Sequence, residues 1–182
     1  MSGELIRTTY LQLTALPENA ALGPPVAGLS VTREQLASAA YLALFQAVGG
    51  PLGWDGRINM TEAALTAFLE APSTDNFVLK YDGVSVGFCE FDASQAPDSE
   101  LMYFGLIPGM QGKKLGPYLL DAALRKHWQS RHPGRVWLHT DTWDDPKAIG
   151  LYLKAGFHVF AEHMLRDDAT YKDYKAAIGL MH

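Results

Sequence analysis

The spacing of hydrophobic positions along the chain predicts an ordered series of strands and helices. Residues 5–16 alternate loosely between apolar and polar positions, which predicts a first strand, whereas residues 19–30 are rich in Ala, Gly and Pro and predict a loop. Thr32 and Gln35 have the spacing of a capping box. Apolar residues then recur at helical intervals, and the predicted helix stops at the glycine pair at 49–50.

The next segments predict a loop, a short helix and a β-hairpin. A loop over residues 52–59 is followed by Thr61, which predicts the cap of a short helix. From residue 76 the period falls from 3.6 to 2, and apolar residues alternate on both sides of Asp82-Gly83, a strong hairpin signal. The apolar face of the short helix is formed by Leu65, Phe68 and Leu69.

The second half of the chain alternates between predicted strands and helices. An apolar strand over 101–107 leads into the glycine-bearing turn 111–116 and an amphipathic helix over 117–131. Further predicted elements are a strand over 136–140, a helix from Asp145-Pro146 to a glycine stop at Gly156, and a strand over 158–165. The polar tail 168–182 has no predicted structure. This order predicts an α/β (α+β) fold with a mixed, mostly antiparallel central sheet and helices on both faces.

Composition limits the class of protein without naming its function. A chain of 182 residues, 48% hydrophobic and 19% charged, suits one globular domain over 1–182 with a sizeable core. The formal net charge of −5 disfavours a general nucleic-acid binder, which is usually basic. Cys89 is the only cysteine, so no intramolecular disulfide is predicted, and its place in a strand predicts a buried packing residue.

Neither a membrane nor a metal ion is a predicted partner. No apolar run reaches the about 18 residues that a spanning helix needs, and the N-terminus lacks the basic and apolar regions of a signal peptide. A cytoplasmic location is therefore expected. Five histidines lack metal-ligand spacing and are predicted to be surface or packing residues, namely His127, His132, His158, His163 and His182.

The turn at 111–116 is the most informative feature of the sequence. A strand, a glycine-bearing turn and a helix in this order bring several backbone N–H groups to a helix N-terminus. Those unpaired donors and the positive end of the helix dipole form an anion site. Lys113 and Lys114 add positive charge. The turn therefore predicts a phosphate-bearing ligand, but these physical arguments do not identify it.

Two sequence blocks resemble motifs of one family. Residues 111–116 (QGKKLG) resemble the acetyl-CoA signature of the Gcn5-related N-acetyltransferases (GNAT), in which Arg or Gln is followed by x-x-Gly-x-Gly/Ala. Residues 145–157 end in LYLKAGF and resemble the family's later motif, an Asn or Asp followed by a helix ending in Leu-Tyr-x-Lys-x-Gly-Phe. The resemblance covers a CoA-binding core over about 75–165, and it implies that the helices of 32–70 form the acceptor side.

This resemblance implies acetyl-CoA as the cosubstrate that occupies the anion site. Backbone N–H groups of the turn would hold the CoA pyrophosphate. The strand that ends at Leu106 and Ile107 would splay from its neighbour and offer backbone groups to the pantetheine arm. The implied cofactor-binding residues are Leu106, Ile107, Gln111, Gly112, Lys113, Lys114, Leu115, Gly116, Asp145 and Tyr152.

Two positions depart from the family pattern. Lys114 stands where the signature has its first glycine, and a lysine costs about 1 kcal/mol or more if this position needs a positive φ. Asp145 stands where many relatives have Asn; it can still cap the helix, but it lacks an amide donor for the pantetheine. We expect CoA binding to survive with altered geometry.

Amide formation needs a proton acceptor for the amine and a proton donor for the departing thiolate. The resemblance places Tyr152 beside the thioester sulfur as the candidate acid; packing under the sheet is its alternative role. Glu100, at the start of the strand before the turn, is similar to the glutamate that deprotonates the amine through a water in histone-acetylating relatives; its alternative is a solvated charge. His139 and Asp141 form a rival site, because their strand should end at the cleft and imidazole titrates near neutrality.

The acceptor pocket is predicted from the loop at 50–59 and from Trp143. Trp54 and Trp143 would form apolar walls, unless these side chains belong to the core. Carboxylates near them would attract a cationic amine. The candidate carboxylates are Asp55, Glu100 and Asp141.

The leading hypothesis is an N-acetyltransferase that moves acetyl from acetyl-CoA to a primary amine by direct attack, with Glu100 as base and Tyr152 as acid. Cys89 lies away from both blocks, which disfavours an acyl-enzyme. The alternatives are a CoA-binding sensor without turnover and the same fold with another acyl-CoA donor. The acceptor is a small-molecule amine or a protein or peptide amine, and the tail from residue 164 is a candidate for pairing in a homodimer.

Overall fold

The computed structural model describes residues 4–166 and 168–180, and in this part of the chain seven strands form one sheet in the order β2-β3-β4-β5-β6-β1-β7. All neighbouring strands are antiparallel except β5 and β6, which are parallel. The strands are β1 (Leu5–Leu13), β2 (Leu29–Arg33), β3 (Thr74–Tyr81), β4 (Val84–Asp92), β5 (Asp98–Leu106), β6 (Arg135–Asp141) and β7 (His158–Arg166). The predicted mixed, mostly antiparallel sheet is confirmed.

Five α-helices accompany the sheet in the described residues, and they cover both of its faces. The helices are α1 (Ser38–Gly49), α2 (Glu62–Glu70), α3 (Leu115–Arg131), α4 (Ala148–Lys154) and α5 (Tyr171–Ala177). None of them is long and apolar enough to cross a membrane. Two short 3-10 turns, Gly50–Leu52 and Pro108–Met110, follow α1 and β5.

Alternation along the central strands gives each face of the sheet its own core. Phe77 and Leu79 pack in the cluster that includes α3 and α4, whereas Val78 packs with α1 and α2 on the opposite face. Cys89 is completely buried in the first cluster, as its strand position predicts. The helices thus lie on both faces, which confirms the predicted layers.

The parallel pair β5 and β6 separates partway along its length. Pairing runs only from Asp98 with Arg135 to Glu100 with Trp137, although both strands continue. On its other side β5 stays paired with β4 as far as Leu106. The carboxyl halves of β5 and β6 therefore part and leave room for a ligand between them.

Structures predicted from local sequence signals are confirmed where no distant strand pairs with the same residues. Asp82 and Gly83 have φ of 47° and 83°, the left-handed values that a tight hairpin needs. Thr61 accepts a hydrogen bond from the Ala64 N–H and caps α2. The capping box at Thr32 is wrong, because Thr32 lies in β2, while α1 begins at Ser38 without a side-chain cap.

Two elements lie in segments for which no regular structure was predicted. Strand β2 begins inside the predicted loop and is held by antiparallel pairing with β3. Helix α5 lies in the polar tail, and Thr170 and Asp173 form a capping box at its start. Of the five histidines predicted to be surface or packing residues, His127 is buried and His132 exposed, while His182 lies outside the described residues.

Candidate active site

A cavity of about 450 Å³ lies where β5 and β6 separate. One wall is the run 101–106 of β5, and His139 and Asp141 of β6 contribute to another part of the lining. The N-terminal end of α3 and the start of α4 border the same space. The lining also includes Val48, Leu52, Trp54, Gln111, Gly112, Lys114, Gly116, Pro117, Asp144, Asp145, Lys147, Ala148, Leu151 and Tyr152.

The turn before α3 has the geometry of an anion site. Lys114 is the N-cap residue of α3, with φ 61° and ψ 15°, and no side chain caps the helix. The condition under which a lysine here carries a backbone cost, a positive φ, is therefore met. Gly112 has φ 76°, a conformation that glycine adopts without a Cβ penalty. The first-turn N–H groups of Leu115 and Gly116 therefore keep no side-chain partner from the cap, as an anion requires.

Close packing of α3 and α4 positions this turn beside the later motif. A Cβ at Gly116 would come to 3.3 Å from the Cδ1 of Leu151 and 3.7 Å from the ring of Phe104. An alanine here would require the end of the Leu151 side chain to shift by a few tenths of an ångström. Glycine at this position serves the approach of two helices at the cavity rather than an unusual backbone angle.

The implied cofactor-binding residues divide into two groups. Seven of the ten line the cavity, whereas Ile107, Lys113 and Leu115 do not. Leu115 is 1% exposed in the core. The Oδ1 of Asp145 accepts a hydrogen bond from the Lys147 N–H at 2.9 Å, and Lys147 is the N-cap residue of α4. Asp145 therefore shapes the turn before α4, and the expectation that it caps the helix is wrong.

Tyr152 is a buried phenol that lines the cavity. Its ring is 6.0 Å from the ring of Phe104 and 6.0 Å from that of Phe157, both in T-shaped contacts. Burial, aided by the nearby charge of Asp144, raises the pKa of Tyr152 well above its ordinary range. The hydroxyl therefore stays protonated near neutral pH and can donate a proton or a hydrogen bond.

The structure brings the two rival bases together. The Nδ1 of His139 is 3.5 Å from the Oε1 of Glu100, and the Nζ of Lys175 is 3.7 Å from the Oε2 of the same carboxylate. Glu100 is 2% exposed and does not line the cavity, whereas His139 does. A ligand in the cavity therefore meets His139 first, with Glu100 behind it.

Only some of the residues predicted to bind the acceptor line the cavity. Trp54 lines the cavity and packs 5.0 Å from the ring of Tyr103. Its indole occupies the space beside Gly49, where a Cβ would come to 2.1 Å from the ring. Asp141 also lines the cavity. Trp143, which is 60% exposed, and Asp55, which is exposed, lie outside the lining.

Asp144 is a cavity residue that sequence reasoning missed. Its Oδ2 accepts hydrogen bonds from the Thr140 hydroxyl at 2.7 Å and from the Asp141 N–H at 3.3 Å. Burial raises the pKa of Asp144 above its ordinary value, and the charge of Asp141 adds to this effect. The signal available in the sequence was an acidic pair, Asp144 and Asp145, immediately before the second motif.

A buried ion pair anchors the loop that carries Trp54. The Nη2 of Arg57 is 2.6 Å from the Oε1 of Glu90 on β4, and the Tyr41 hydroxyl donates to the other oxygen of Glu90. The guanidinium also lies 4.0 Å from the centre of the Phe68 ring. This arrangement fixes the loop to the sheet beside the cavity. An arginine in a loop is usually exposed, so the sequence offered no signal for it.

The cavity combines an anion-binding turn, a buried proton donor and a histidine backed by a carboxylate. Such an arrangement suits a ligand with a phosphate group at the turn and a reactive group farther along β5. Among residues 4–166 and 168–180, no cluster of three or more His, Cys, Asp or Glu side chains could hold a metal ion.

Comparison with known sequences identifies the family. Residues 43–157, more than half of the chain, match the model of the Acetyltransferase (GNAT) family, and the chain belongs to that family. A comparison with curated protein sequences gave no match.

Solved structures show the same fold at low sequence identity. A GCN5-related N-acetyltransferase from Sphaerobacter thermophilus is 18% identical with a TM-score of 0.65, covering 88% of this chain and 50% of that one. One from Kribbella flavida is 18% identical with a TM-score of 0.59, covering 94% and 63%. An aminoglycoside acetyltransferase from an uncultured soil metagenomic sample is 16% identical with a TM-score of 0.58, covering 70% and 87%. The chain thus spans only 50% to 63% of the length of the first two.

Proposed function

We propose that the protein transfers an acetyl group from acetyl-CoA to a primary amine by direct attack. The observation that carries this proposal is one cavity that is lined by a buried, protonated Tyr152 and by His139 and is bordered by the anion-binding turn. Buried Cys89, whose thiol pKa is raised by burial, is a poor nucleophile, which disfavours an acyl-enzyme route.

The residues present fit acetyl-CoA. The uncapped first turn of α3 offers N–H groups to the pyrophosphate, and Lys114 adds charge beside it. Beyond Glu100 the edge of β5 that faces β6 has no ladder partner in β6, so its backbone groups are available to an amide-containing pantetheine arm. When bound, acetyl-CoA supplies the thioester that the amine attacks.

The His139–Glu100 pair can accept the proton that the acceptor amine must lose before it attacks. A carboxylate facing Nδ1 favours the tautomer with hydrogen on Nδ1 and leaves Nε2 as a proton acceptor. In the proposed reaction His139 takes a proton from the acceptor ammonium, and Glu100 stabilises the resulting imidazolium. The amine nitrogen then forms a bond to the acetyl carbonyl carbon, the carbon–sulfur bond breaks, and Tyr152 donates its proton to the thiolate. The proton that the acylated nitrogen loses returns the Tyr152 phenolate to its neutral form.

The acceptor that suits this site is a cationic amine with some apolar surface. Trp54 and Tyr103 supply aromatic lining, and Asp141 and Asp144 supply carboxylates near His139. Both a small-molecule amine and a lysine side chain of a peptide have this chemistry. The same site would accept another acyl-CoA donor if the acyl chain fits between β5 and β6.

Turnover tests the proposed function. The purified protein is incubated with acetyl-CoA and a panel of polyamines, aminoglycosides and lysine peptides, while CoA thiol release and acetylated product are measured. Tyr152→Phe should lower kcat about 100-fold and leave the Kd for acetyl-CoA nearly unchanged, because only the transition state needs the proton. Tyr81→Phe, at the distant hairpin, is the matched control.

Two outcomes would contradict the proposal. A wild-type protein that binds acetyl-CoA but turns over none of the amines would be a CoA-binding module. A Tyr152→Phe variant with the kcat of Tyr81→Phe would remove Tyr152 from the mechanism while leaving the activity itself in place.

A further inference from the structure

The C-terminal helix α5 contacts the proposed catalytic pair directly. The ring of Tyr174 stacks on the imidazole of His139, with centroids 4.3 Å apart and planes 22° apart. Lys175, the next residue, places its ammonium 3.7 Å from Glu100. Two adjacent residues of one helix thus touch both members of the pair.

The position of α5 is itself fixed by contacts with β1 and β6. The Tyr10 hydroxyl donates to the backbone carbonyl of Tyr174 at 2.9 Å, and the Tyr174 hydroxyl lies 3.5 Å from the Oδ2 of Asp141. Tyr10 is completely buried and pairs with His139 across the two strands. These contacts hold α5 over the part of the sheet where the pair lies.

From this geometry we propose that Tyr174 and Lys175 are positioning residues for acyl transfer, which hold His139 and Glu100 in a working arrangement. The proposal rests on the proposed function of the His139–Glu100 pair. It extends the active site to a helix that lies beyond residues 43–157, the part of the chain that matches the family.

Lys175 has a clear electrostatic role in this arrangement. A carboxylate that is only 2% exposed needs a compensating charge, because water does not solvate it. The Lys175 side chain is itself only 13% exposed, so its charge is poorly screened by solvent. Since the ammonium lies near Oε2, it stabilises an ionised Glu100 whose Oε1 faces His139.

Tyr174 has a steric role. A ring stacked nearly parallel to the imidazole restricts rotation of His139, so that Nδ1 faces Glu100. Burial raises the pKa of Tyr174 to about 12, and it does the same for Tyr10, whose ring lies 6.0 Å from that of His139. These phenols stay neutral near pH 7. Within residues 4–166 and 168–180, Asp141 and Asp144 also carry carboxylates near the pair, and the ring of His163 lies 5.7 Å from that of Tyr10.

Two lysines of the same helix provide a matched test. Lys175 is largely buried against Glu100, whereas Lys172 is exposed. Lys175→Met should lower kcat about tenfold or more and change the KM for acetyl-CoA less than about twofold, while Lys172→Met should resemble wild type. Lys175→Arg should restore most of the kcat because it returns the positive charge.

A second pair of variants tests the stacking. Tyr174→Phe keeps the ring and should keep most of the kcat, whereas Tyr174→Leu removes the ring and should lower kcat with little change in the KM for acetyl-CoA. Thermal unfolding of each variant shows whether it is folded. If Lys175→Met does not fold, the two Tyr174 variants and Lys175→Arg still test the proposal.

NMR spectra of the His139 imidazole give a readout that does not depend on turnover. Loss of the Lys175 side chain should change the ring chemical shifts of His139, because Glu100 is then no longer held against the imidazole. His139→Gln identifies the signals, and Lys172→Met should leave them unchanged. Ring signals and a kcat that are both the same in Lys175→Met and Lys172→Met would overturn the proposal. Absence of turnover in wild type would contradict the proposed function but not this comparison of spectra.

Discussion

At the scale of single residues, Asp144 opposes folding stability at neutral pH. Burial raises its pKa in the folded protein above the ordinary value. A raised carboxyl pKa means that the folded state binds the proton more tightly than the unfolded chain. The resulting stabilisation is complete below the unfolded pKa of about 4 and is lost as pH rises through the folded pKa. Ionised Asp144 is therefore a destabilising group at pH 7.5.

Asp144→Asn should therefore raise the Tm at pH 7.5, because the amide keeps an acceptor for the Thr140 hydroxyl without a buried charge. The gain should shrink as pH falls below the unfolded pKa of about 4, because the raised pKa favours the neutral form of Asp144 in the folded protein. Thermal scans at pH 7.5 and below this pKa measure the effect, with exposed Asp55→Asn as the control. An unchanged or lower Tm at pH 7.5 would contradict this account.

Lys114 combines a strained backbone with a useful charge. Lys114→Gly should leave folding stability unchanged or slightly higher, since glycine tolerates φ 61°. It should also weaken CoA binding by about 1 kcal/mol, or roughly fivefold in Kd, because a cation beside the phosphates is lost. Calorimetry at low and high salt checks this expectation. Lys113→Ala, outside the cavity lining, should change Kd much less.

The sequence raised the question of a positive φ at Lys114, whereas it gave no indication that Glu100 pairs with His139. The first follows from a short local motif with a glycine at the same place in relatives. The second depends on the register of β5 against β6, in which Glu100 lies opposite Trp137 and His139 follows two residues later on the same face. Nothing local in either strand specifies that register.

At the scale of elements, Asp75 ties β3 to α3 and β2. Its completely buried carboxylate accepts hydrogen bonds from Arg131 at 2.8 and 2.9 Å, and it lies 2.9 Å from the Nδ1 of His127 and 2.5 Å from Arg33. Burial alone would raise the pKa of Asp75, but the hydrogen bonds of Arg131 and His127 outweigh it and hold the pKa well below the usual range. The C-terminal end of α3 is thereby fixed to the sheet.

Asp75→Asn should lower the free energy of unfolding by about 2 kcal/mol at pH 7, because it removes the charged acceptor that Arg131 and the completely buried His127 share. A lowered folded pKa contributes stability above the unfolded pKa of about 4, and this contribution is lost as pH falls toward the folded pKa. The difference between wild type and variant should therefore narrow at pH 3. Urea unfolding at both pH values tests it, and Asp98→Asn, in a more exposed pair, should cost less than about 1 kcal/mol.

Elements with strong local signals were predictable, and those that depend on distant partners were not. The hairpin turn and α3 follow from periodicity and turn residues. Strand β2 forms because β3 offers a free edge, which overrides the apparent capping box at Thr32. Helix α5 carried a usable signal in Thr170 and Asp173, but its short length left the tail unassigned.

At the scale of the whole molecule, the parting of β5 from β6 is the feature on which the proposed binding of acetyl-CoA depends. It arises where Met102 is an additional residue on β5, because the register against β4 shifts between Glu90 with Tyr103 and Phe91 with Leu101. Sequence periodicity does not reveal such a bulge. Only the family resemblance implied that the strand would splay.

Acetyl-CoA should stabilise the whole protein but protect only part of it. At a concentration about 100 times Kd the free energy of unfolding should rise by about 2.7 kcal/mol. Amide exchange should slow mainly in residues 101–106, in the turn 111–116 and at the start of α4, which border the cavity. Exchange measured with and without CoA checks this pattern, and protection confined to β1 or β7 would place the ligand elsewhere.

The buried Arg57–Glu90 pair has a consequence for how acceptor preference can change. The pair holds the loop that contains Arg57 to strand β4. Trp54, three residues earlier in that loop, forms part of the cavity lining. Leu52, in the same loop, is exposed and also lines the cavity, and it carries none of that anchoring. Directed evolution can therefore vary this position to reshape the cavity for new amines while the scaffold remains folded.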